Sequence, residues 1–192
     1  MQQKGHFESF SKTKVTGDVQ PTLVLGLVRR AKISRLVFTD FNLKGLLDEV
    51  GSQIQLEADQ ARVHIHMSCP KGLKIRGDRE QIARVFLNLF SNSIFWLETD
   101  TKGKRKEIAV LVKSKADVLT ITFKDNGPGI APNAIEEVFD YFYTSKGKRG
   151  MGFGLPLSKR IIEAHGGSIS VKSRWGWNTE FTIILPPSGS KR

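Results

Sequence analysis

The sequence predicts an α/β (α+β) two-layer sandwich, a mixed β-sheet with helices on one face, and three observations carry that reading. Strand periodicity marks residues 63–68, where Val63, Ile65 and Met67 alternate with His64, His66 and Ser68. Helical periodicity follows Asp78, where Ile82, Val85, Phe86, Leu89, Ser93 and Leu97 recur every three or four positions. Two β-rich runs, 108–112 and 118–123, flank a turn at 115–117 as a hairpin does, and two more, 168–173 and 180–185, close the chain.

Taken in order, residues 1–20 are polar with no apolar period and read as a tail. Residues 21–37 form at most a helical stub, with Leu23, Leu27 and Val28 on one face and Gly26 weakening it. A short strand is expected at 37–42. A helix is expected over 43–61, with Leu46, Leu47, Val50, Ile54 and Leu56 as its apolar positions. After the alternating strand, Cys69-Pro70-Lys71-Gly72 makes a turn and 73–76 a brief strand. Asp78 is the expected cap of the long helix, an acid placed at a helix N-terminus. Residues 132–139 are expected to form a short helix. Residues 153–165 form another, closed by Gly166-Gly167. Pro186-Pro187 ends the fold, and 188–192 is a polar tail. The domain therefore spans 38–187, behind a polar and basic segment at 1–37.

Composition narrows the function classes. The 192 residues suffice for one domain with short appendages, and 39% hydrophobic residues, among them 12 Phe and 3 Trp, exclude wholesale disorder. The longest apolar stretch near the N-terminus, 23–28, falls far short of the roughly 20 residues of a membrane span. Residues 1–17 are too polar for a signal peptide. The single cysteine, Cys69, rules out a disulfide framework and suits a cytoplasmic setting. The net charge of +11 invites a nucleic-acid reading. That reading is the weaker one, because the chain has no known DNA- or RNA-binding motif and no aromatic-basic stripe. The run Lys102, Lys104, Arg105, Lys106 lies beside Gly103 and reads as a solvated loop.

Three constellations carry chemistry. Asn88 and Asn92 are one turn apart and share a helix face, at the edge of an apolar stripe. Two such amides either cap neighbours or offer carbonyl oxygens to a hard cation such as Mg²⁺. Asp125-Asn126-Gly127-Pro128-Gly129-Ile130 follows a strand. It is either an ordinary turn or a carboxylate set beside a backbone that a ligand can approach closely. Lys146-Gly147-Lys148-Arg149-Gly150-Met151-Gly152-Phe153-Gly154-Leu155 is a glycine-rich loop leading into a helix, where free N–H groups attract anions. Its spacing matches neither the phosphate loop ending in Gly-Lys-Ser/Thr nor a dinucleotide fingerprint.

In this order and spacing, the three resemble the boxes of the ATP-binding domain shared by histidine kinases, type II topoisomerases, heat-shock chaperones and mismatch-repair ATPases, the Bergerat fold. Asn88 to Ser93 matches the asparagine box, Asp125 to Ile130 the first glycine box, Val138 to Lys146 the phenylalanine box and Gly150 to Leu155 the second glycine box. Residues 161–167, Ile-Ile-Glu-Ala-His-Gly-Gly, follow as they do in histidine kinases. The resemblance covers about 38–186.

The resemblance implies Mg²⁺ and ATP as cofactors. Asn92 would be the metal ligand that bridges to the phosphates, with Asn88 its partner. Asp125 would bind the adenine amino group, with Gly127, Gly129 and Ile130 shaping the base pocket and Thr179 assisting. Phe142 would pack near the lid, as would Phe139, with core packing an equal reading for both. Lys146 would reach the terminal phosphate, and Gly150, Gly152, Gly154 and Leu155 would bring backbone to the phosphate chain. His165 reads as structural.

Hydrolytic members of the family usually carry Glu where this chain has Asn88, and that Glu acts as a general base. A neutral amide cannot take a proton, whereas a neutral imidazole acceptor is already a nucleophile. Asn88 thus favours transfer to histidine, as in the catalytic and ATP-binding domain of a sensor histidine kinase in two-component signalling. Two positions depart from histidine kinases: Ser93 where Ala is usual, and Phe95 where Lys or Arg is usual. None of the four histidines fits a phosphoacceptor box. The expected partners are therefore a histidine-bearing dimerisation hairpin, separate or missing, through which a homodimer would form, and a response regulator. The alternative function is a non-kinase ATP-dependent switch or ATPase of the same superfamily.

Overall fold

The computed structural model describes residues 36–100, 103–115, 118–144, 146 and 151–186. The stub at 21–35 and the tail at 188–192 lie outside them. The elements are β1 (Thr39–Asn42), α1 (Leu43–Gln60), β2 (Val63–Ser68), β3 (Lys74–Gly77), α2 (Arg79–Thr99), β4 (Lys106–Lys115), β5 (Val118–Asp125), α3 (Gly154–Ala164), β6 (Ser168–Arg174) and β7 (Asn178–Leu185).

Five strands form a mixed sheet in the order β2-β4-β5-β7-β6. β2 runs parallel to β4 with Val63 opposite Lys106, and the other pairings are antiparallel. β1 and β3 pair separately as a two-stranded antiparallel ribbon, with Thr39 opposite Gly77. Alternation decides which face is covered. Ile108, Val110 and Val112 of β4, Ile121 and Phe123 of β5, and Phe181 and Ile183 of β7 are buried in one cluster with the helices. Their neighbours Leu111, Lys124 and Ile184 are exposed on the other face. The fold is thus the mixed sheet with helices on one face that the periodicities predict.

The two longer helices begin where the sequence provides a cap, whereas α3 starts after Phe153 with no side-chain cap. Asn42 Oδ1 accepts from Gly45 N–H at 3.0 Å ahead of α1. Asp78 caps α2, accepting from Gln81 N–H at 3.1 Å with Oδ1 and from Val37 N–H at 3.0 Å with Oδ2. The buried face of α1 is Leu43, Leu46, Leu47, Val50, Ile54 and Ala58. Leu56, expected among them, is exposed, because it lies two positions from Ile54 and so falls off the stripe. The rings of Phe90 and Phe123 meet edge to face, 75° apart with 4.7 Å between centroids, and pack α2 against β5.

Residues 132–139 differ from expectation. Only Pro132–Ala134 is helical, as a single 3-10 turn, and turns follow it. A run of eight residues gains few hydrogen bonds against the cost of nucleation, so packing decides. Val138 is buried, and Phe139 meets Phe181 edge-on at 6.3 Å.

His165 closes α3 and is buried. Its Nε2 accepts from Asp78 N–H at 2.9 Å, and its Nδ1 lies 2.7 Å from Ile161 O, which assigns the proton to Nδ1. The ring thereby joins the end of α3 to the start of α2. His165→Ala is expected to orphan the buried Asp78 N–H at a cost of about 1–3 kcal/mol, to which the cavity adds. Urea unfolding measures it, and an unchanged midpoint would contradict this structural role.

Candidate functional site

The site lies between α2, the loop after β5, and the start of α3. Asp125 is the last residue of β5, and Thr179 stands opposite it on β7; both are buried. Asp125 Oδ2 accepts from Ser93 Oγ at 2.7 Å, and Oδ1 accepts from Gly127 N–H at 3.0 Å. Burial pushes the carboxyl up, against the lowering effect of the Ser93 and Gly127 donors. With Ser93, Gly127 and the Thr179 backbone as donors, the two carboxylate oxygens still keep acceptor capacity for a further donor.

The loop behind Asp125 is held at both ends. Asn126 Oδ1 accepts from Glu107 N–H at 2.9 Å, and its Nδ2 donates to Arg105 O at 2.7 Å, so the loop is pinned to β4. Ile130 N–H donates to Ser173 Oγ at 2.8 Å, and Gly176 N–H to Pro128 O at 2.6 Å, so it is pinned to the β6–β7 turn. Gly129 has φ +73°, and a Cβ there would sit 2.5 Å from Arg174 O. Only glycine fits both conditions.

On α2, Asn88 Nδ2 donates to Gly154 O and to Ser158 Oγ, both at 3.2 Å. This bonding ties the asparagine face to the first turn of α3. One turn on, Asn92 Oδ1 accepts from Lys146 Nζ at 2.7 Å. The same ammonium sits 4.5 Å from the centroid of the Phe95 ring. Burial pulls the Lys146 ammonium down to about 8, with Glu57 opposing the shift. Phe142 has a left-handed backbone at φ +66°. Its N–H donates to Gly152 O at 3.1 Å, and its ring meets Phe153 at 5.0 Å. A Cβ on Gly152, itself at φ +70°, would press into the Phe142 backbone at 2.6 Å. Leu155 is half-buried and packs against the core.

The structure therefore gathers Asn88, Asn92, Lys146 and Gly154 around one end of the site, and Asp125, Gly127, Gly129, Ile130 and Thr179 around the other. Phe142 and Gly152 meet each other across the loop, with Phe142 against Phe153. Gly150 lies outside the described residues. Sequence reasoning missed Ser93 as the hydroxyl partner of Asp125 and Ser158 as a partner of Asn88. A signal for Ser93 exists: it is a polar residue on the apolar stripe of α2, and a buried hydroxyl needs an acceptor.

The donor set suits a hard divalent ion. Asn92 presents a neutral carbonyl oxygen, and that oxygen already accepts an ammonium, so the position favours a cation. Among the described residues, no three His, Cys, Asp or Glu side chains come together as a metal cluster. Mg²⁺ takes few protein oxygens and is completed by substrate phosphates and water, so one amide oxygen would be a minimal protein contribution.

Comparison with known proteins places the family and the fold. The family described as histidine kinase-, DNA gyrase B- and HSP90-like ATPases matches residues 77–189. The sensor histidine kinase ZraS of Salmonella typhimurium is 33% identical over 166 residues, which is 85% of this chain and 34% of that protein, so the chain spans about a third of that relative. The catalytic domain of histidine kinase ThkA superposes with a TM-score of 0.69 at 26% identity, covering 81% of this chain and 99% of that one. A structure of ThkA in complex with the response regulator protein TrrA superposes with a TM-score of 0.69 at 25% identity, covering 89% of this chain and 48% of that one. Family match, sequence identity and fold superposition converge, and the chain belongs to the histidine kinase-, DNA gyrase B- and HSP90-like ATPases, its domain being of the catalytic, ATP-binding type that sensor histidine kinases carry.

Proposed function

We propose that this chain supplies the Mg·ATP-binding catalytic domain of a sensor histidine kinase and transfers the γ-phosphoryl group to a histidine on a dimerisation hairpin. That hairpin belongs to a separate polypeptide or to another part of the same protein, and the dimer forms through it. A response regulator then takes the phosphoryl group, a partner class supported by the ThkA complex with TrrA. The reaction takes place on the cytosolic side. Among the described residues, no helix is long and apolar enough to cross a membrane.

Asn88 carries the proposal. Its Nδ2 is committed to Gly154 O and Ser158 Oγ, and its amide has no basic electron pair with which to deprotonate water. A neutral imidazole nitrogen needs no such base. Its lone pair forms the N–P bond, the bond from γ-phosphorus to the bridging oxygen breaks, and ADP leaves with the electron pair. Bound Mg²⁺ would neutralise phosphate charge from Asn92. Asp125 orients the adenine amino group. Lys146 places its ammonium against the terminal phosphate, and Gly152 and Gly154 let backbone approach the phosphate chain. Catalysis then consists of positioning and charge neutralisation.

The test supplies a separate histidine-bearing hairpin together with γ-labelled ATP. An acid-labile, base-stable phosphoprotein is expected. Steady release of phosphate with no transfer to any hairpin would overturn the reading and favour an ATPase switch.

A further inference from the structure

We infer that Phe95 is a positioning residue for Lys146, its ring seating the lysine ammonium on Asn92 Oδ1 so that the lysine and Mg²⁺ compete for one carbonyl oxygen. The inference rests on Asn92 as the metal ligand and deepens that reading.

Asn92 and Phe95 are three residues apart on α2 and therefore share a face. Lys146 approaches that face from the loop. Its Nζ is 2.7 Å from Asn92 Oδ1 and 4.5 Å from the Phe95 centroid, so two neighbouring side chains of one helix hold one ammonium. The carbonyl oxygen and the electron-rich ring face both attract positive charge. The platform is itself fixed, since Trp96 meets Phe95 edge-on at 5.1 Å with planes 87° apart. The backbone end is fixed too, because Lys146 N–H donates to Thr144 Oγ1 at 3.1 Å. Lys146 is half-buried, where a cation over a ring is worth more than in open solvent.

An ammonium and a divalent ion on that one oxygen would lie a few ångströms apart and repel each other. Mg·nucleotide binding must therefore move the ammonium from Asn92, and the terminal phosphate gives it a stronger partner. Phe95 sets how much of the free chain is already open to the metal. An affinity measured for a partly populated competent form is reduced by that fraction. Removing the ring therefore favours Mg·nucleotide. A basic side chain at 95 would also drive Lys146 off Asn92, by repulsion.

The experiment uses the full chain with ¹³C,¹⁵N-labelled lysine, the Lys146 resonances being assigned through their loss in Lys146→Arg. In the unaltered protein, the Lys146 Cε protons are expected to be ring-current shifted upfield and to lose that shift on adding Mg·ADP. Phe95→Leu is expected to abolish the shift and to tighten Mg·ADP about three-fold, with ADP alone unchanged. Phe95→Tyr, which keeps the ring, restores both the shift and the original affinity, a rescue that mere bulk would not produce. Lys146 resonances that Phe95→Leu leaves in place, or Mg·ADP weakened by that change, would overturn the inference while leaving the nucleotide site standing. An unaltered chain that binds no Mg·ADP would overturn the site reading and the inference with it.

Discussion

Asp125→Asn is expected to weaken ATP binding about 100-fold while leaving the chain folded and, at neutral pH, no less stable. The carboxylate offers only acceptors, and its two oxygens retain lone pairs after serving Ser93 and Gly127. The amide replaces one of those acceptors with a donor. On the proposed reading it would face the adenine amino group, also a donor, at the point of recognition. Inside the protein the change is well tolerated, because the amide oxygen still accepts from Gly127 N–H and its nitrogen can donate to Ser93 Oγ. The electrostatics add a second, independent readout. Burial raises the Asp125 carboxyl, so the folded chain binds that proton more tightly than the unfolded chain does. The ionised carboxylate therefore costs stability that grows as pH rises from the unfolded carboxylate value, about 3.9, through the folded value. The amide does not titrate, so the variant's stability relative to the unaltered chain should rise over that interval and level off above it. Calorimetry with ATP and urea unfolding from acid to neutral pH measure the two effects. Unaltered ATP affinity would remove Asp125 from the base pocket. A relative stability that falls with rising pH would contradict desolvation as the dominant influence on the carboxyl.

That two-sided behaviour shows where the sequence is readable. The strand that delivers Asp125, the helix that delivers Asn88 and Asn92, and the cap at Asp78 all follow from local periodicity and local hydrogen bonding. Each is specified by residues within a few positions of itself, which is what a sequence pattern can encode. The boxes are legible for a related reason. Gly129 and Gly152 adopt backbone that other residues resist, so the requirement is written into the residue type.

What escaped the sequence is contact between segments far apart in the chain. Ser93 meets Asp125 across 32 positions, Asn88 meets Ser158 across 70, and His165 reaches Asp78 across 87. No local pattern marks such pairs. The pairing of β1 with β3 as a separate ribbon belongs to the same class, since both strands are readable and their partnership is not. The 132–139 segment fails differently. Its residues favour a helix, yet burial of Val138 and the contact of Phe139 with Phe181 hold it in turns, so tertiary packing overrides propensity. Phe95 is the sharpest instance. In sequence it reads as the loss of a positive charge. In the structure it is a platform that recruits one, because Lys146 arrives from 51 residues away.

Asn92→Ala is expected to have the larger effect on chemistry, lowering phosphoryl transfer about 1000-fold or more while ADP without metal binds nearly as before. The separation follows from geometry. On the proposed reading, Asp125, Gly127 and Thr179 would hold the base without Asn92, whereas Asn92 Oδ1 would be the hard oxygen offered to a divalent ion at the phosphate end. Removing that oxygen also frees Lys146, whose ammonium loses its 2.7 Å acceptor. The freed ammonium does not replace the metal in the transition state, where charge builds on the leaving oxygen and a single mobile ammonium is a poor substitute for a divalent ion. The diagnostic is therefore the dependence on Mg²⁺. In the unaltered chain, nucleotide affinity and transfer both rise with Mg²⁺, while in Asn92→Ala the affinity becomes nearly flat and transfer stays low at every concentration. Asn92→Asp separates ligand from lysine anchor, since its carboxylate can still hold the metal but now forms a charge-assisted bond to Lys146. It should keep Mg²⁺ dependence with the rise displaced to higher Mg²⁺ concentration. Transfer in Asn92→Ala within ten-fold of the unaltered chain would mean that the metal is held elsewhere and that Asn92 serves only as the resting partner of Lys146.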